Sequence, residues 1–433
     1  MNNNKLKIKI KSLIKNINNY DELSKIIDKY LIPEELEKKK NAEVSTPYKL
    51  RKEMLDKIPV DFWTTPKKVF EPCSGKGGFV IDIVGRFMNG LNDLIPDDKL
   101  RYKKIVEECL YFSDINPTNI FICKLLVDPF DEYKLNYNEG NTLELNIKDK
   151  WNLEGFDAVI GNPPYNASGN TGTGNTIWQH FTKKSINWLN KNGLLLFIHP
   201  CGWRKPNTKR GKFYGLFDLM TKQNQMLYLS IHNIKDGMKT FKCGTRYDWY
   251  LLEKKEKYKN TIVNDEKNKI IEIDMKEFNW LPNSNLILTK KLLSVNNNCN
   301  ILCDFSYSRL NKKIVSKTKN NIFKYPLIYL TPKKGVRYMY SNCNNKGHYN
   351  ISKIIIGETG VDNAVNDYCG NYGMTQDSFG IIINSKEEGI NIMNAIKTEK
   401  FKNYLKESCL WSNFRIDYRL FKSFKKDFYK EFI

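Results

Sequence analysis

The sequence predicts an α/β protein: a Rossmann-like, doubly wound, mostly parallel sheet of seven strands, followed by a C-terminal α+β domain. Three observations carry this. Short apolar runs alternate with helical stretches from Lys67 to about residue 256, the pattern of βαβ units whose parallel strands are covered on both faces. Several of those runs end in glycine, proline or a carboxylate, the residues of strand-to-helix turns. The alternation stops at the charged, apolar-poor stretch EKKEKYKNTIVNDEKNK (253–269). The predicted organisation is a helical segment over 1–42, an α/β domain over 43–256 and a second domain over 257–433.

The elements follow in order. Leu13, Ile14, Ile17, Leu23, Ile26 and Ile27 recur among charges as on a helix, Pro33 interrupts, and EELEKKK resumes as a solvated helix. KKVFEPCSG is the first strand and its turn. CLYFSDI is the second, ending at Asp114, with Pro117 placed to start the helix TNIFICKLLV. KLNYNEGN is a weaker third and FDAVIGNPP the fourth. A helix over about 177–190 puts Trp178, Phe181, Ile186 and Leu189 on one side. GLLLFIHP, MLYLSIH and DWYLLEK complete the seven. Beyond 269, β-like runs such as KIIIGETG and FGIIINS mix with loops, and INIMNAIKTEKFKNYL and FKSFKKDFYKEF read as basic helices.

Lys and Arg number 70 against 48 acids, a formal charge of +22 in 433 residues. Such an excess points to a polyanionic partner, most commonly nucleic acid. No apolar run approaches the ~20 residues of a membrane span. The N-terminus lacks a signal-peptide pattern, and the ten cysteines are scattered, so an intracellular protein with reduced thiols is expected. Cys299, Cys303, Cys343 and His348 are spaced C-x3-C-x39-C-x4-H. That is loose for zinc, and buried thiols without metal are expected.

In an open parallel sheet, ligands sit beyond the carboxyl ends of the strands. Four strand ends here carry chemistry. The first has Glu71 and Pro72, then Gly75, Gly77, Gly78 and Phe79. Its glycines permit close approach to a helix N-terminus. The second has Asp114, suited to accept from paired ribose hydroxyls, with Ile115 beside it for a purine face. The third has Asn141. The fourth has Asn162-Pro163-Pro164-Tyr165. Two prolines fix the backbone and remove two N–H donors, leaving the Pro163 carbonyl free beside the Asn162 carboxamide. Two rigid acceptors can grip both hydrogens of one exocyclic amine, and Tyr165 offers a flat face for the ring. The polar stretch 166–176 that follows is read as a loop that orders around substrate.

In these residues the chain resembles the S-adenosylmethionine-dependent N6-adenine DNA methyltransferases, in the class with the catalytic domain before the target-recognition domain. The resemblance covers roughly 44–254. STPYKLRKEMLDKIP is similar to the family's Thr-Pro motif, which implies that Thr46 and Pro47 help hold the methionine end of the cofactor. EPCSGKGGF resembles the glycine motif, with Lys76 an unexpected residue assigned to solvent. YFSDINP resembles the ribose motif, and GNPPY matches the catalytic motif. Asn141 stands where relatives often carry an acid for the cofactor adenine amine. TFKCGTRYDWYLL resembles the late motif whose aromatic packs on an extruded base, which implies Phe241.

The resemblance implies a methyltransferase fold, S-adenosylmethionine as cofactor, DNA as partner and a restriction-modification setting with a cognate endonuclease. Arg204, Lys205, Lys209 and Arg210 in WRKPNTKRGK (203–212) are assigned to DNA phosphates. Trp411, Phe414, Arg415 and Arg419 are assigned to base reading or packing. RNA or protein-glutamine N-methyltransferases of the same fold, and a catalytically silent DNA-binding module, are the alternative readings.

Overall fold

A computed structural model describes residues 8, 10–12, 19–31, 44–167, 175–207, 209–411 and 415–433. The chain divides into two compact units. The first runs to Trp203 and resumes over Lys212–Lys276; the second comprises Arg204–Gly211 and Glu277–Ile433.

The first unit is built on one sheet. Its strands are β1 (Val69–Glu71), β2 (Leu110–Asp114), β3 (Asn136–Glu139), β4 (Phe156–Gly161), β5 (Leu189–Pro200), β6 (Gln225–His232), β7 (Tyr247–Glu253), β8 (Thr261–Asn264) and β9 (Ile270–Ile273). Their order is β3-β2-β1-β4-β5-β7-β6-β8-β9. Strands β1 to β5 pair in parallel, and β7 runs antiparallel between β5 and β6. This is a doubly wound, mostly parallel sheet, with nine strands where seven were expected. Of the two extra strands, β8 lies in the charged stretch read as a boundary and β9 follows directly after it. β8 buries Thr261 and Val263 while Ile262 faces outward, a period of two too short to outweigh its lysine-rich flanks. β8 pairs parallel with β6 through Tyr228 and Ile262, so the first unit ends at Lys276 rather than at 256.

The order reverses at β1, whose neighbours are β2 and β4, and a crevice opens beyond the carboxyl ends there. β1 is buried on both faces. Val69 enters the main apolar cluster. Phe70, on the opposite face, stacks on Phe156 at 4.9 Å and meets Trp188 edge-on at 5.3 Å. Burying one such ring contributes about 1.5–3 kcal/mol, so a strand of three residues is firmly fixed. The helix Gly78–Gly90 then lays Phe79, Val80, Ile83, Val84 and Phe87 into the core. The helix Pro117–Val127 starts at Pro117, and Asn116 caps it by accepting from the Thr118 N–H at 3.1 Å. The helix Tyr20–Tyr30 packs on Gly78–Gly90: a Cβ at Gly85 would lie 2.7 Å from the Tyr20 Cβ. The helix Tyr20–Tyr30 therefore belongs to the first unit.

The second unit holds β10 (Ile301–Leu302), β11 (Val315–Ser316), β12 (Tyr325–Leu330), β13 (Arg337–Ser341), β14 (Lys353–Gly357), β15 (Gly360–Asp367), β16 (Gly373–Met374) and β17 (Ser378–Ile382). They form two four-stranded sheets, β10-β17-β14-β15 and β11-β13-β12-β16, with β14 fully buried. The helices Lys386–Lys397 and Glu399–Ser408 form where the apolar period predicts them. FKSFKKDFYKEF is not one basic helix. Phe421, Phe424, Phe428 and Phe432 are buried in the core with Phe401, and the helix Tyr418–Ser423 gives way to a short 3-10 turn at Phe428–Glu431. The lysines are spacers between core anchors. Cys299 and Cys343 belong to separate apolar groups. His348 faces the Asp304 carboxylate through Nε2 at 3.0 Å and accepts from the Met374 N–H through Nδ1 at 3.1 Å. Among the described residues no group of His, Cys, Asp and Glu is placed to hold a metal ion.

Candidate active site

A cavity of about 370 Å³ lies beyond the carboxyl ends of β1, β2 and β4. Glu71, the last residue of β1, is 2% exposed, and its Oε2 has no hydrogen-bond partner among the described residues. Burial pushes its carboxyl well above the ordinary range, against the pull of Arg51. The following turn uses Gly75 at φ 51° and Gly77 at φ 83°, a left-handed backbone that favours glycine. Gly75, Gly78 and Phe79 line the cavity. Gly77 does not: a Cβ there would lie 2.9 Å from Leu126 Cδ1, so it serves the turn and helix packing. Ser74, which motif reading passed over, lines the cavity with an unpartnered Oγ.

At the end of β2, Asp114 accepts from the Gly75 N–H through Oδ2 and from the Asn116 N–H through Oδ1, both at 2.8 Å. Asn119 bonds to the same carboxylate, whose roughly four lone-pair sites leave capacity for a ligand. Burial raises this carboxyl, and the two N–H groups, Asn119 and Lys76 oppose the rise. Lys76 is 8% exposed and donates to Asn119 Oδ1 at 2.9 Å, which corrects its assignment to solvent. The carboxylate and carboxamide around it offset its desolvation. Ile115 stands at the rim, 61% exposed. Asn141 lines the cavity from the turn after β3; its Oδ1 accepts from the Leu143 N–H at 3.1 Å and its Nδ2 donates to Glu144 at 2.6 Å.

β4 delivers the tetrapeptide. Asn162 Nδ2 donates to the Val44 carbonyl at 3.2 Å and to Thr46 Oγ1 at 3.1 Å. Its Oδ1 is buried and has no partner among the described residues. Pro163, Pro164 and Tyr165 line the same cavity. The Tyr165 hydroxyl is likewise buried and unpartnered, and burial holds it well above the ordinary phenol range. Asn166 and Thr176 pair as an isolated bridge, and Ala167 N–H donates to the Asn175 carbonyl at 2.8 Å. The base of the predicted loop is thereby closed, and 168–174 lie outside the described residues.

Other assignments are relocated. Thr46 lines the cavity, whereas Pro47 caps the helix Tyr48–Leu55, its carbonyl accepting from Leu50 and Arg51. Phe241 is 8% exposed and packs edge-on against Tyr247 at 5.0 Å; it is a core ring, away from the cavity wall. Ile177 and Phe181 supply apolar wall beside the tetrapeptide instead. Ile27, Asp28 and Leu31 of the N-terminal segment also line the cavity. An amphipathic helix shows in sequence that it buries a face, not which face of which neighbour it meets.

Arg204 is fully buried, and its guanidinium donates to the carbonyls of Leu281 and Pro282 and to Asn283 Oδ1 at 2.9–3.2 Å. That corrects its assignment to DNA phosphates: its donors are already satisfied inside the second unit. Lys205 is half-buried, and Lys209 and Arg210 are exposed. Arg419 is held by Asp417, Arg415 lies 3.3 Å from Glu358, and Trp411 packs edge-on against Trp280. Phe414 lies outside the described residues.

The cavity suits an adenosyl amino acid. It offers an acid at the second strand end, a glycine turn, an apolar rim at Ile115, and buried unpartnered oxygens on Glu71, Ser74 and Asn162. Buried polar atoms of this kind are costly unless a ligand satisfies them.

Residues 108–241 match the family model described as Eco57I restriction-modification methylase. An adenine-specific methylase of Mycoplasma pneumoniae is 25% identical over 237 residues, 38% of this chain and 56% of that protein. The chain thus spans little more than half of that relative. The type IIL restriction-modification enzyme MmeI, solved in complex with DNA, superposes with a TM-score of 0.54 at 9% identity, over 93% of this chain and 70% of that one. The DrdV–DNA complex gives 0.50 at 10% identity, over 94% and 58%. At such identities the likeness shows the fold alone. By fold, by its matched segment and by its curated relative, the chain is similar to restriction-modification adenine methylases, the resemblance that its four strand-end motifs carry.

Proposed function

We infer that the chain is an S-adenosylmethionine-dependent DNA adenine N6-methyltransferase of the restriction-modification kind. The observation that carries the reading is the buried Oδ1 of Asn162 on the wall of the cavity, which has no partner among the described residues. Its amide nitrogen is already committed to Val44 and Thr46, so the oxygen is an acceptor in want of a donor. An exocyclic amine supplies one N–H to it and a second to the Pro163 carbonyl. Two such bonds hold the nitrogen lone pair out of ring conjugation and aim it.

Glu71, Pro72, Gly75, Phe79, Asp114, Ile115 and Asn141 would hold S-adenosylmethionine, with Thr46 and Asn162 at its methionine end. When bound, it supplies a methyl group on a cationic sulfur. No general base is needed beforehand, because the amine proton leaves after the nitrogen becomes cationic; positioning and electrostatics supply the rate. Tyr165 would stack on the adenine, which must leave the duplex at a cost of a few kcal/mol.

The charge of +22 supports a nucleic-acid partner, with Lys205, Lys209 and Arg210 as phosphate contacts. The name of the curated relative, an adenine-specific methylase, supports adenine as the target. A cognate restriction endonuclease would be the companion activity. The test is to incubate the protein with S-adenosylmethionine and unmethylated mixed-sequence DNA, then analyse nucleosides by mass spectrometry. N6-methyladenine is expected. Its absence, with cofactor binding measured, would move the reading to an RNA or protein-glutamine substrate.

A further inference from the structure

Arg51 lies on the helix Tyr48–Leu55, among lysines and a glutamate that make it look like one more surface cation. It is 2% exposed. Its guanidinium is spent on four partners from three stretches of chain. Nε donates to Asp82 Oδ2 at 2.6 Å, Nη2 to Ser24 Oγ at 2.5 Å, and Nη1 to Asp28 Oδ1 at 2.8 Å and to the Thr46 carbonyl. Ser24 and Asp28 sit one turn apart on Tyr20–Tyr30, and Asp82 on the helix after the glycine turn. A planar fork with fixed donor directions can serve all of these together; a lysine ammonium cannot. Gly78 makes room for it: a Cβ there would lie 2.7 Å from Arg51 Cζ.

The consequence reaches the tetrapeptide through Thr46. Arg51 fixes the Thr46 carbonyl, and the same residue's hydroxyl takes a hydrogen bond from Asn162 Nδ2. A carboxamide turned by 180° exchanges its oxygen and nitrogen. The Val44 carbonyl, the other partner of Nδ2, can only accept, so the turned amide would set two oxygens face to face. The productive orientation therefore depends on residues 44–46 staying in place, and among them the Thr46 backbone is the part clamped to a buried ion network.

We propose that Arg51 is a positioning residue: by clamping Thr46 it holds the Asn162 carboxamide with its nitrogen toward Val44 and its oxygen toward the cavity. This rests on reading Asn162 as the residue that grips the amine, and the test separates the two claims. The side-chain amide resonances of Asn162, assigned by their loss in Asn162→Asp, report the orientation without any turnover. In the wild type they should be protected from hydrogen exchange. In Arg51→Lys and in Thr46→Val, each with a cooperative melt, exchange should quicken roughly tenfold, the loss of about one hydrogen bond. In the double variant it should be no faster than in the quicker single, because both act through one contact.

Where DNA methylation is observed, kcat should fall roughly tenfold in Arg51→Lys while KM for S-adenosylmethionine moves less than about threefold. Wild-type exchange at Asn162 in Arg51→Lys, or additive effects in the double variant, would overturn the proposal. If Arg51→Lys does not fold, Asp82→Asn, off the cavity wall, loosens the same fork: quickened exchange there supports the clamp, and unchanged exchange overturns it. A wild type that methylates no DNA would sink the proposed function, while the exchange rates would still decide the clamp.

Discussion

The carboxamide nitrogen of Asn162 donates to the hydroxyl of Thr46 across 3.1 Å, joining the end of β4 to the segment before the helix Tyr48–Leu55. The oxygen of the same carboxamide is left buried and unpartnered. Asn162→Ala removes the acceptor without touching the glycine turn or Asp114. Turnover should fall on the order of a hundredfold or more, the scale for one preorganised hydrogen-bonding group, while the cofactor dissociation constant, to which Asn162 gives one contact among several, rises about tenfold at most. Steady-state methylation together with cofactor titration checks this; full turnover in the variant would remove Asn162 from the mechanism.

Tyr165 presents its ring to the cavity and buries a hydroxyl that meets no partner. Removing such a hydroxyl relieves an unsatisfied group. Tyr165→Phe should keep activity within about threefold and melt no lower than the wild type. Tyr165→Ala should lose roughly 5- to 150-fold in kcat/KM, the ~1–3 kcal/mol of one base–aromatic stack. Equal losses in both variants would assign the role to the hydroxyl instead.

Gly78→Ala is predicted to destabilise the first unit by about 1–3 kcal/mol, the range for overpacking a filled site. The added methyl meets an Arg51 that cannot swing aside, since Asp28, Asp82, Ser24 and Thr46 hold it. Denaturant unfolding measures the change. A neutral result would mean that Arg51 moves freely.

The two classes of basic residue in 204–211 separate in a salt titration of DNA binding. Lys209→Ala and Arg210→Ala should each lower the slope of log K against log salt by about 1, the signature of a lost phosphate contact. Arg204→Ala should leave the slope alone and instead lower the stability of the second unit. A slope change in Arg204→Ala would contradict its burial.

Glu71 gives a pH signature. Its carboxyl is pushed well above its ordinary 4.5 by burial, so the folded protein holds this proton more tightly than the unfolded chain. The contribution to stability is full below the ordinary value and is lost as pH rises through the raised one. Glu71→Gln, which carries no titrating proton, should therefore gain on the wild type as pH increases from about 5 to 8. Melting temperatures of both proteins across that range test it; a gap that narrows with pH would refute the assignment.

The parts of the site that could be read from sequence share one property. Glu71, Asp114 and Asn162 each terminate an apolar run, and in a parallel sheet the run alone places its last residue at the ligand edge. The glycine turn and the proline pair were legible because they carry backbone geometry with them. What was not legible depends on which way a side chain turns after the chain has folded. Arg51 and Arg204 look like their exposed neighbours, yet each is enclosed by acceptors brought from afar. Phe241 was placed by motif and buried by its contact with Tyr247. β8 and β9 were hidden because four-residue strands at a sheet edge need little apolar content of their own.

The second unit is not a simple C-terminal appendage, because Arg204–Gly211 belongs to it while the chain on either side belongs to the first. An exchange of second units between related proteins, by recombination or by design, with a single junction near Lys276 would carry Leu281, Pro282 and Asn283 away and leave Arg204 behind. The incoming module would have to present three acceptors to a guanidinium it had never met. The second unit is therefore specified by two pieces of chain, and a graft should travel with both.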